Sequence, residues 1–404
     1  MMEASADRPV INQPAIRRIV IIAGEHSGDA LGAKLMAAME QARPGQIEFT
    51  GVGGHMMEAQ GFHSDFPLSD IAVMGPLAIL KRLPVLVRRV YRSVDVALAA
   101  NPDVVVIIDA PEFTHPVAKR IRKRRPEIPI IDYVSPTIWA WRPGRAKKMA
   151  PYVDHVLALL PFEPAAHAEL GGPACTYVGH PLTERLPALA ALDPTAQLIA
   201  AGLDPFRPLV VVLPGSRRSE VERLMAVFGD ALALFQARMP DAQYVLPAMP
   251  HVRLMIEEKL ALWPAAAPRP VLVDGSDEAV KFAIFKAARV ALAASGTVTL
   301  ELALCRTPMV VAYRVDAVIS AMRHLIRTRS SVLPNLIVGV NAIPEFHQER
   351  CTAINLATAL TAAAGETPER AQQLAALDQV PVNLAPPGGV SPSQAAARIV
   401  LGYL

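Results

Sequence analysis

The segment Leu213-Pro214-Gly215-Ser216-Arg217-Arg218 joins a glycine turn to two guanidinium groups. That combination suits a pyrophosphate, because free backbone N–H groups and charge-assisted hydrogen bonds both favour an anion. Ser219 and Glu222 follow at the S-x-x-E spacing of a capping box, so a helix is predicted to open there. Ala294-Ser295-Gly296-Thr297-Val298-Thr299-Leu300-Glu301 reads as a second strand-to-helix anion loop, with Glu301 one turn in and able to accept from ribose hydroxyls. Gly215, Ser216, Arg217, Ser295, Gly296, Thr297 and Glu301 together form a candidate cradle for a nucleoside diphosphate. The GxxxxGK[ST] phosphate loop is absent.

The first half of the chain offers carboxylates instead. Gly24-Glu25-His26-Ser27-Gly28-Asp29 lacks the GxGxxG fingerprint, and its acidic pair would repel a pyrophosphate, so it suits sugar hydroxyls better; the plainer alternative is a capped turn. Asp109, in Ile108-Asp109-Ala110-Pro111-Glu112-Phe113, is either a general base or the cap of the next turn. Ser135 and Trp139 belong to Tyr133-Val134-Ser135-Pro136-Thr137-Ile138-Trp139-Ala140-Trp141-Arg142. Aromatics beside arginine there can pack a sugar ring, a fatty chain or an interdomain wall. Asn335, in Ser331-Val332-Leu333-Pro334-Asn335, has the setting of a structural turn residue. The ten histidines show no metal-ligand spacing, so no metal and no cofactor are expected.

Short β-branched runs must carry these loops. They are Arg18–Ala23, Ile47–Val52, Val104–Asp109, Ile128–Val134, His155–Leu160 and Thr176–Val178 in the first half. In the second half they are Leu209–Leu213, Gln243–Leu246, Val271–Val273, Val290–Ala293 and Met309–Tyr313. Runs such as Val104-Val105-Val106-Ile107-Ile108 are apolar on both faces, as strands between two helix layers must be. The repeated βα alternation predicts an α/β protein of two doubly wound Rossmann-like domains facing each other across a cleft. The expected boundaries are 1–183, 184–390 and a C-terminal helix at 391–404 able to pack back on the first domain. Thr183–Pro208 is read as the linker, with a helical piece around Gln197–Ala201.

Composition narrows the function further. The 404 residues are 52% hydrophobic and 19% charged, an ordinary globular balance. Three widely separated cysteines, Cys175, Cys305 and Cys351, fit a reducing compartment. A net charge of +3 argues against nucleic acid as a partner. No secretory leader is read, and no apolar run nears the ~18 residues of a membrane span. Yet residues 81–148 hold 15 Lys+Arg against 6 Asp+Glu. The apolar cluster just before this basic stretch, with Val73, Met74, Leu77 and Leu80, is either a half-immersed membrane contact or a buried core helix.

These segments in this order resemble the lipid-A-disaccharide synthases, from about Arg18 to about Arg350. The most specific are AGEHSGD, GVGG, IDAPEF, YVSPTIWAWR, LPGSRRSEVE, ASGTVTLE and LPN. The resemblance implies the two-domain B-type glycosyltransferase fold (GT-B). It implies UDP-2,3-diacylglucosamine as donor, 2,3-diacylglucosamine 1-phosphate (lipid X) as acceptor, inversion at the anomeric carbon and no required metal. It assigns Arg217, Ser295, Gly296, Thr297 and Glu301 to UDP, sets Glu25, Ser27 and Asp109 on the sugar side, and makes Asn335 functionally important. The expected setting is the cytoplasmic face of the inner membrane, with a homodimer left open. Two departures stand out: Ala78 where some members carry Glu, and an added Pro76. A UDP-N-acetylglucosamine epimerase, a muramyl-lipid transferase and a non-catalytic nucleotide-binding module are the competing readings.

Overall fold

A computed structural model of the chain describes residues 16–72, 76–316 and 328–404, without the side chains of 76–81. Val73 and Met74 lie outside the described residues, as do the side chains of Leu77 and Leu80.

Two six-stranded sheets carry the described chain, and every strand pairing in them is parallel. The first contains β1 (Arg17–Ala23), β2 (Ile47–Val52), β3 (Val104–Ile108), β4 (Ile130–Tyr133), β5 (His155–Ala158) and β6 (Ala174–Tyr177). Their spatial order is β2-β1-β3-β4-β5-β6. The second contains β7 (Leu209–Leu213), β8 (Gln243–Ala248), β9 (Val271–Asp274), β10 (Val290–Ala294), β11 (Met309–Tyr313) and β12 (Glu345–His347), in the order β12-β11-β10-β7-β8-β9.

The continuous apolar runs follow from this layering. Side chains alternate across a strand, so a sheet covered on both faces needs apolar residues at every position. Ile19, Ile21, Val104, Val106 and Ile108 enter one core, while Val20, Ile22, Val105 and Ile107 enter the core on the opposite face. In the second sheet Val210 and Val212 serve one core and Leu209, Val211 and Leu213 the other.

Each sheet reverses its strand order once. The reversal falls between β1 and β3 in the first sheet and between β7 and β10 in the second. Crevices form at the carboxyl ends of the strands at such switch points, because successive connecting helices leave to opposite faces. The loops after these four strands hold Glu25, Asp109, Arg217 and Ser295.

Several local expectations need correction. The helix after β7 begins at Arg218, with Arg217 as its N-cap, so Ser219 and Glu222 do not form its capping box. Glu222 instead pairs with Lys259 at 2.6 Å. The edge strand β12 has only three residues, too short to announce itself by periodicity. Strand β6 lies at Ala174–Tyr177, two residues before the predicted start, and its half-exposed pattern blurs the signal.

The chain ends on the first sheet's side of the molecule. Helix Pro392–Leu401 packs on helix His26–Ala42, burying Ala396, Ala397 and Val400 in the core that contains Leu35 and Met39. Ser393 donates to Glu184 at 2.9 Å, and Glu184 also receives Lys34 at 2.5 Å.

Candidate active site

Asp109 stands one residue beyond β3 in an unusual backbone conformation. Its φ is +56°, and Ala110 follows at +42°. Two consecutive left-handed residues that are not glycine carry strain, which tertiary contacts must support. The support is visible: Asp109 Oδ1 accepts from the Ala110 N–H at 2.7 Å, and the Thr114 hydroxyl donates to the Asp109 carbonyl at 2.7 Å. Ser27 Oγ donates to Asp109 Oδ2 at 2.9 Å, so the loop after β1 orients the carboxylate at the end of β3. Below it, His115 meets Asp132 at 3.1 Å and Tyr152 at 3.0 Å, tying the helix after Asp109 to β4.

Glu25 is the exposed N-cap of its helix but makes no side-chain cap bond. Its carboxyl is raised, first by desolvation in the cleft and then by the charge of Asp109; Arg217 and His26 act in the opposite direction. Arg217 belongs to the other sheet, so Glu25 feels groups from both switch points.

Asp29, Ser135, Trp139 and Asn335 do not join this group. Asp29 is fully buried and accepts from the N–H groups of Gly54, Met56 and Met57 at 2.8–3.1 Å. A Cβ at Gly54 would come within 2.7 Å of its Oδ2, so the second half of the GVGG segment and Asp29 are one structural unit. Ser135 is buried against His167, 2.9 Å away. Trp139 packs edge-on to Phe162 and against the second domain's core, with its indole N–H donated to Glu163 at 3.2 Å. Burial pushes the Glu163 carboxyl up to about 7. Of the roles open to this aromatic segment, Trp139 takes the interdomain wall.

Asn335 is also fully buried. Its side chain donates to the Ile343 carbonyl and accepts from the Ile343 N–H, both at 2.9 Å. This clamps the turn before β12. Ser331, from the same segment, offers its carbonyl to Ser295 Oγ at 2.7 Å and its hydroxyl to Glu345 at 2.9 Å. The Asn335 amide also donates to Ser330 Oγ at 3.4 Å, so it ties the turn before β12 to the segment whose Ser331 carbonyl receives Ser295.

In the second domain a cavity of about 300 Å³ is lined by Gly215, Ser216, Arg217, Ser295, Gly296, Thr297 and Glu301. The same wall includes Lys281, Met249 and Phe285, which the sequence pattern did not single out. Lys281 pairs with Glu301 at 2.9 Å, fixing the carboxylate proposed for ribose. Gly215 has φ +113°, and a Cβ there would strike Glu220 at about 2.4 Å. Glu220 accepts from the N–H groups of Ser216 and Arg217 at 3.1 and 3.2 Å and from the Arg217 guanidinium at 2.9 Å. Those two N–H groups are thus already satisfied within the protein, and the exposed Arg217 guanidinium shares the same carboxylate. Gly296 differs: its φ is ordinary for any residue and nothing lies within 4 Å of a Cβ built there. Protein packing does not require glycine at that position, whereas close approach of a ligand would. Among the described residues no group of acidic, histidine or cysteine side chains could hold a metal ion.

The model of the lipid-A-disaccharide synthetase family matches residues 19–385. The chain belongs to the lipid-A-disaccharide synthase family. It is 49% identical over 391 residues to the synthase of Rhodopseudomonas palustris strain BisB18, covering 96% of each chain. It is 49% identical over 386 residues to that of Nitrobacter hamburgensis, covering 95% of each. Solved structures share the fold at low identity. The S. aureus MnaA–UDP structure aligns with a TM-score of 0.63 and 13% identity over 96% of this chain and 98% of that one. A Neisseria meningitidis UDP-GlcNAc 2-epimerase bound to UDP-GlcNAc aligns with a TM-score of 0.62 and 11% identity over 95% and 98%. The protein is accordingly a glycosyltransferase of the GT-B fold acting in lipid A disaccharide synthesis, on a UDP-sugar and lipid X. No helix among the described residues is long and apolar enough to cross a membrane.

Proposed function

We propose that the two switch points form one inverting active site, with UDP in the Arg217–Ser295 cavity and the acceptor sugar over Asp109. The observation that carries this reading is that Glu25 experiences both Asp109 and Arg217, so the carboxylate edge and the cationic loop share one electrostatic space. In the step, the acceptor 6-hydroxyl oxygen forms a bond to the anomeric carbon as the bond to the UDP oxygen breaks. Asp109 takes the hydroxyl proton, and UDP leaves with the electron pair. Ser27 orients the base, and the Arg217 guanidinium stabilises the charge that grows on the departing diphosphate. The reaction needs no metal in this scheme. Incubating the protein with UDP-2,3-diacylglucosamine and lipid X should release UDP in step with disaccharide formation; UDP-N-acetylglucosamine epimerised without transfer would sink this reading.

The same proposal includes a peripheral seat on the cytoplasmic face of the inner membrane. Helix Pro76–Ala99 keeps Leu83, Val87 and Tyr91 each 47% exposed at successive four-residue steps, while Val94 and Ala97, further along the same side, are fully buried. An exposed apolar stripe beside basic residues is suited to an anionic leaflet. Liposome flotation tests it: a folded Leu77→Ser/Leu80→Ser variant should float less than wild type, and equal flotation would overturn the membrane seat.

A further inference from the structure

The first domain contains a second cavity, of about 490 Å³, between helices Pro76–Ala99 and Pro111–Arg124. Its wall is mainly aliphatic and aromatic: Ile71, Leu83, Leu86, Val87, Val90 and Phe113. Ile71, Val90 and Phe113 are more than nine-tenths buried, whereas Leu83 and Val87 remain half open to solvent. The charged groups lining it are Glu25, Glu112 and Arg120. Glu25 and Ala110 also belong to the two loops of the reaction centre, so the cavity and the transfer site share a wall.

A permanent apolar hollow is unfavourable in water unless something apolar occupies it in the working cycle. The position also excludes the nucleotide, whose cradle lies in the other domain. The volume is at the lower end of the roughly 300–1,000 Å³ typical of small-ligand pockets, which suits a single aliphatic chain better than a diacylated sugar. One boundary is held in place: Arg120 lies 4.9 Å from the Tyr91 ring and donates to the Pro116 carbonyl at 2.8 Å.

We infer that this cavity takes one acyl chain of the lipid acceptor while its sugar lies over Asp109. The inference rests on the proposed reaction, in which the acceptor sugar lies on this domain; the donor is diacylated too, but its nucleotide holds it to the other domain. Drawing one chain out of the bilayer would bring the sugar within reach of the carboxylates. The cavity wall would then set the preferred chain length, with Val87 and Leu86 as the residues that decide it.

The test separates the pocket from the reaction. An intrinsically fluorescent fatty acid, below its micelle-forming concentration, is titrated into wild type, Val87→Trp and Leu86→Trp. Melting curves and UDP titration establish that each variant is folded. The expected result is saturable probe binding by wild type, at least tenfold weaker binding by one or both variants, and displacement of the probe by lipid X. In the companion assay the ratio of kcat/KM for a long-chain acceptor to that for a short-chain acceptor should fall at least tenfold in the same variant. Equal probe binding and an unchanged ratio in folded variants would overturn the pocket. Probe binding lost in the variants, with no UDP released by wild type from any acceptor, would leave the acyl pocket supported and remove the proposed reaction.

Discussion

The two switch points are built alike and chemically opposed. At β1 and β3 the cleft edge has Glu25, Ser27 and Asp109, held by a strained left-handed turn. At β7 and β10 it has Gly215, Arg217, Ser295, Gly296 and Thr297 around a cavity. The same topological device thus presents carboxylates in one domain and a glycine-and-arginine loop in the other. Two consecutive left-handed residues, Asp109 and Ala110, mark the first edge, and open space beside Gly296 marks the second. The contrast teaches that the fold supplies the crevice, while the few residues beyond each strand decide which half of a reaction it serves.

The sharpest way to break this division is Asp109→Asn. Turnover should fall roughly 10²–10⁴-fold, as for loss of a general base, while UDP affinity measured by calorimetry stays unchanged. If the variant retains most of its turnover at saturating substrates, Asp109 serves its loop alone and Glu25 becomes the base. Arg217→Ala is the mirror experiment. It should weaken UDP binding by about 1.5–3 kcal/mol, the range for a charge-assisted bond, without unfolding the first domain. Calorimetry giving equal affinity for variant and wild type would remove Arg217 from the anion site.

Smaller effects should come from the residues behind the cradle. Asn335→Ala leaves the buried N–H and carbonyl of Ile343 without partners, at about 1–3 kcal/mol for each such group. Melting temperature should drop and KM for the donor should rise, because Asn335 also holds Ser330, the neighbour of the Ser331 carbonyl that receives Ser295. A fall in kcat alone, with stability intact, would return Asn335 to the chemistry. Glu345 gives the last prediction, in pH. Burial alone would raise its carboxyl, but hydrogen bonds from His347, Ser330 and Ser331 outweigh it and hold the group down at about 2. A depressed acid stabilises the fold above its unfolded pKa of about 4.3 and loses that contribution as pH falls toward 2. Wild type should therefore exceed Glu345→Gln by on the order of 2 kcal/mol at neutral pH, a gap that closes between about pH 5 and pH 2 in denaturant titrations. A gap independent of pH would mean that the carboxylate's charge contributes nothing there.

How much of this was legible in the residues alone depends on how local each signal is. The buried strands were readable because a sheet covered on both faces demands apolar residues at consecutive positions, as in Val104–Ile108. The loops were readable because glycine beside Arg217, and Ser-Gly-Thr before an apolar helix, are unusual immediately after such strands. Asp109 and Glu25 could be named as candidates for the same reason, and the ordered set of motifs pointed to the family. The inward turn of Asp29 and Ser135 was not legible, and for Trp139 and Asn335 a structural role could be named but not chosen, because burial depends on which distant segment arrives: Gly54 for Asp29, His167 for Ser135, the second core for Trp139, Ile343 for Asn335. Lys281 and Glu220 were missed likewise, since a charged residue in the first turns of a helix looks like any solvated one until its partner is known. Motif chemistry is set by neighbours along the chain and can be read from it. Whether a polar side chain faces ligand or protein is set by neighbours across the fold, and only the tertiary structure decides it.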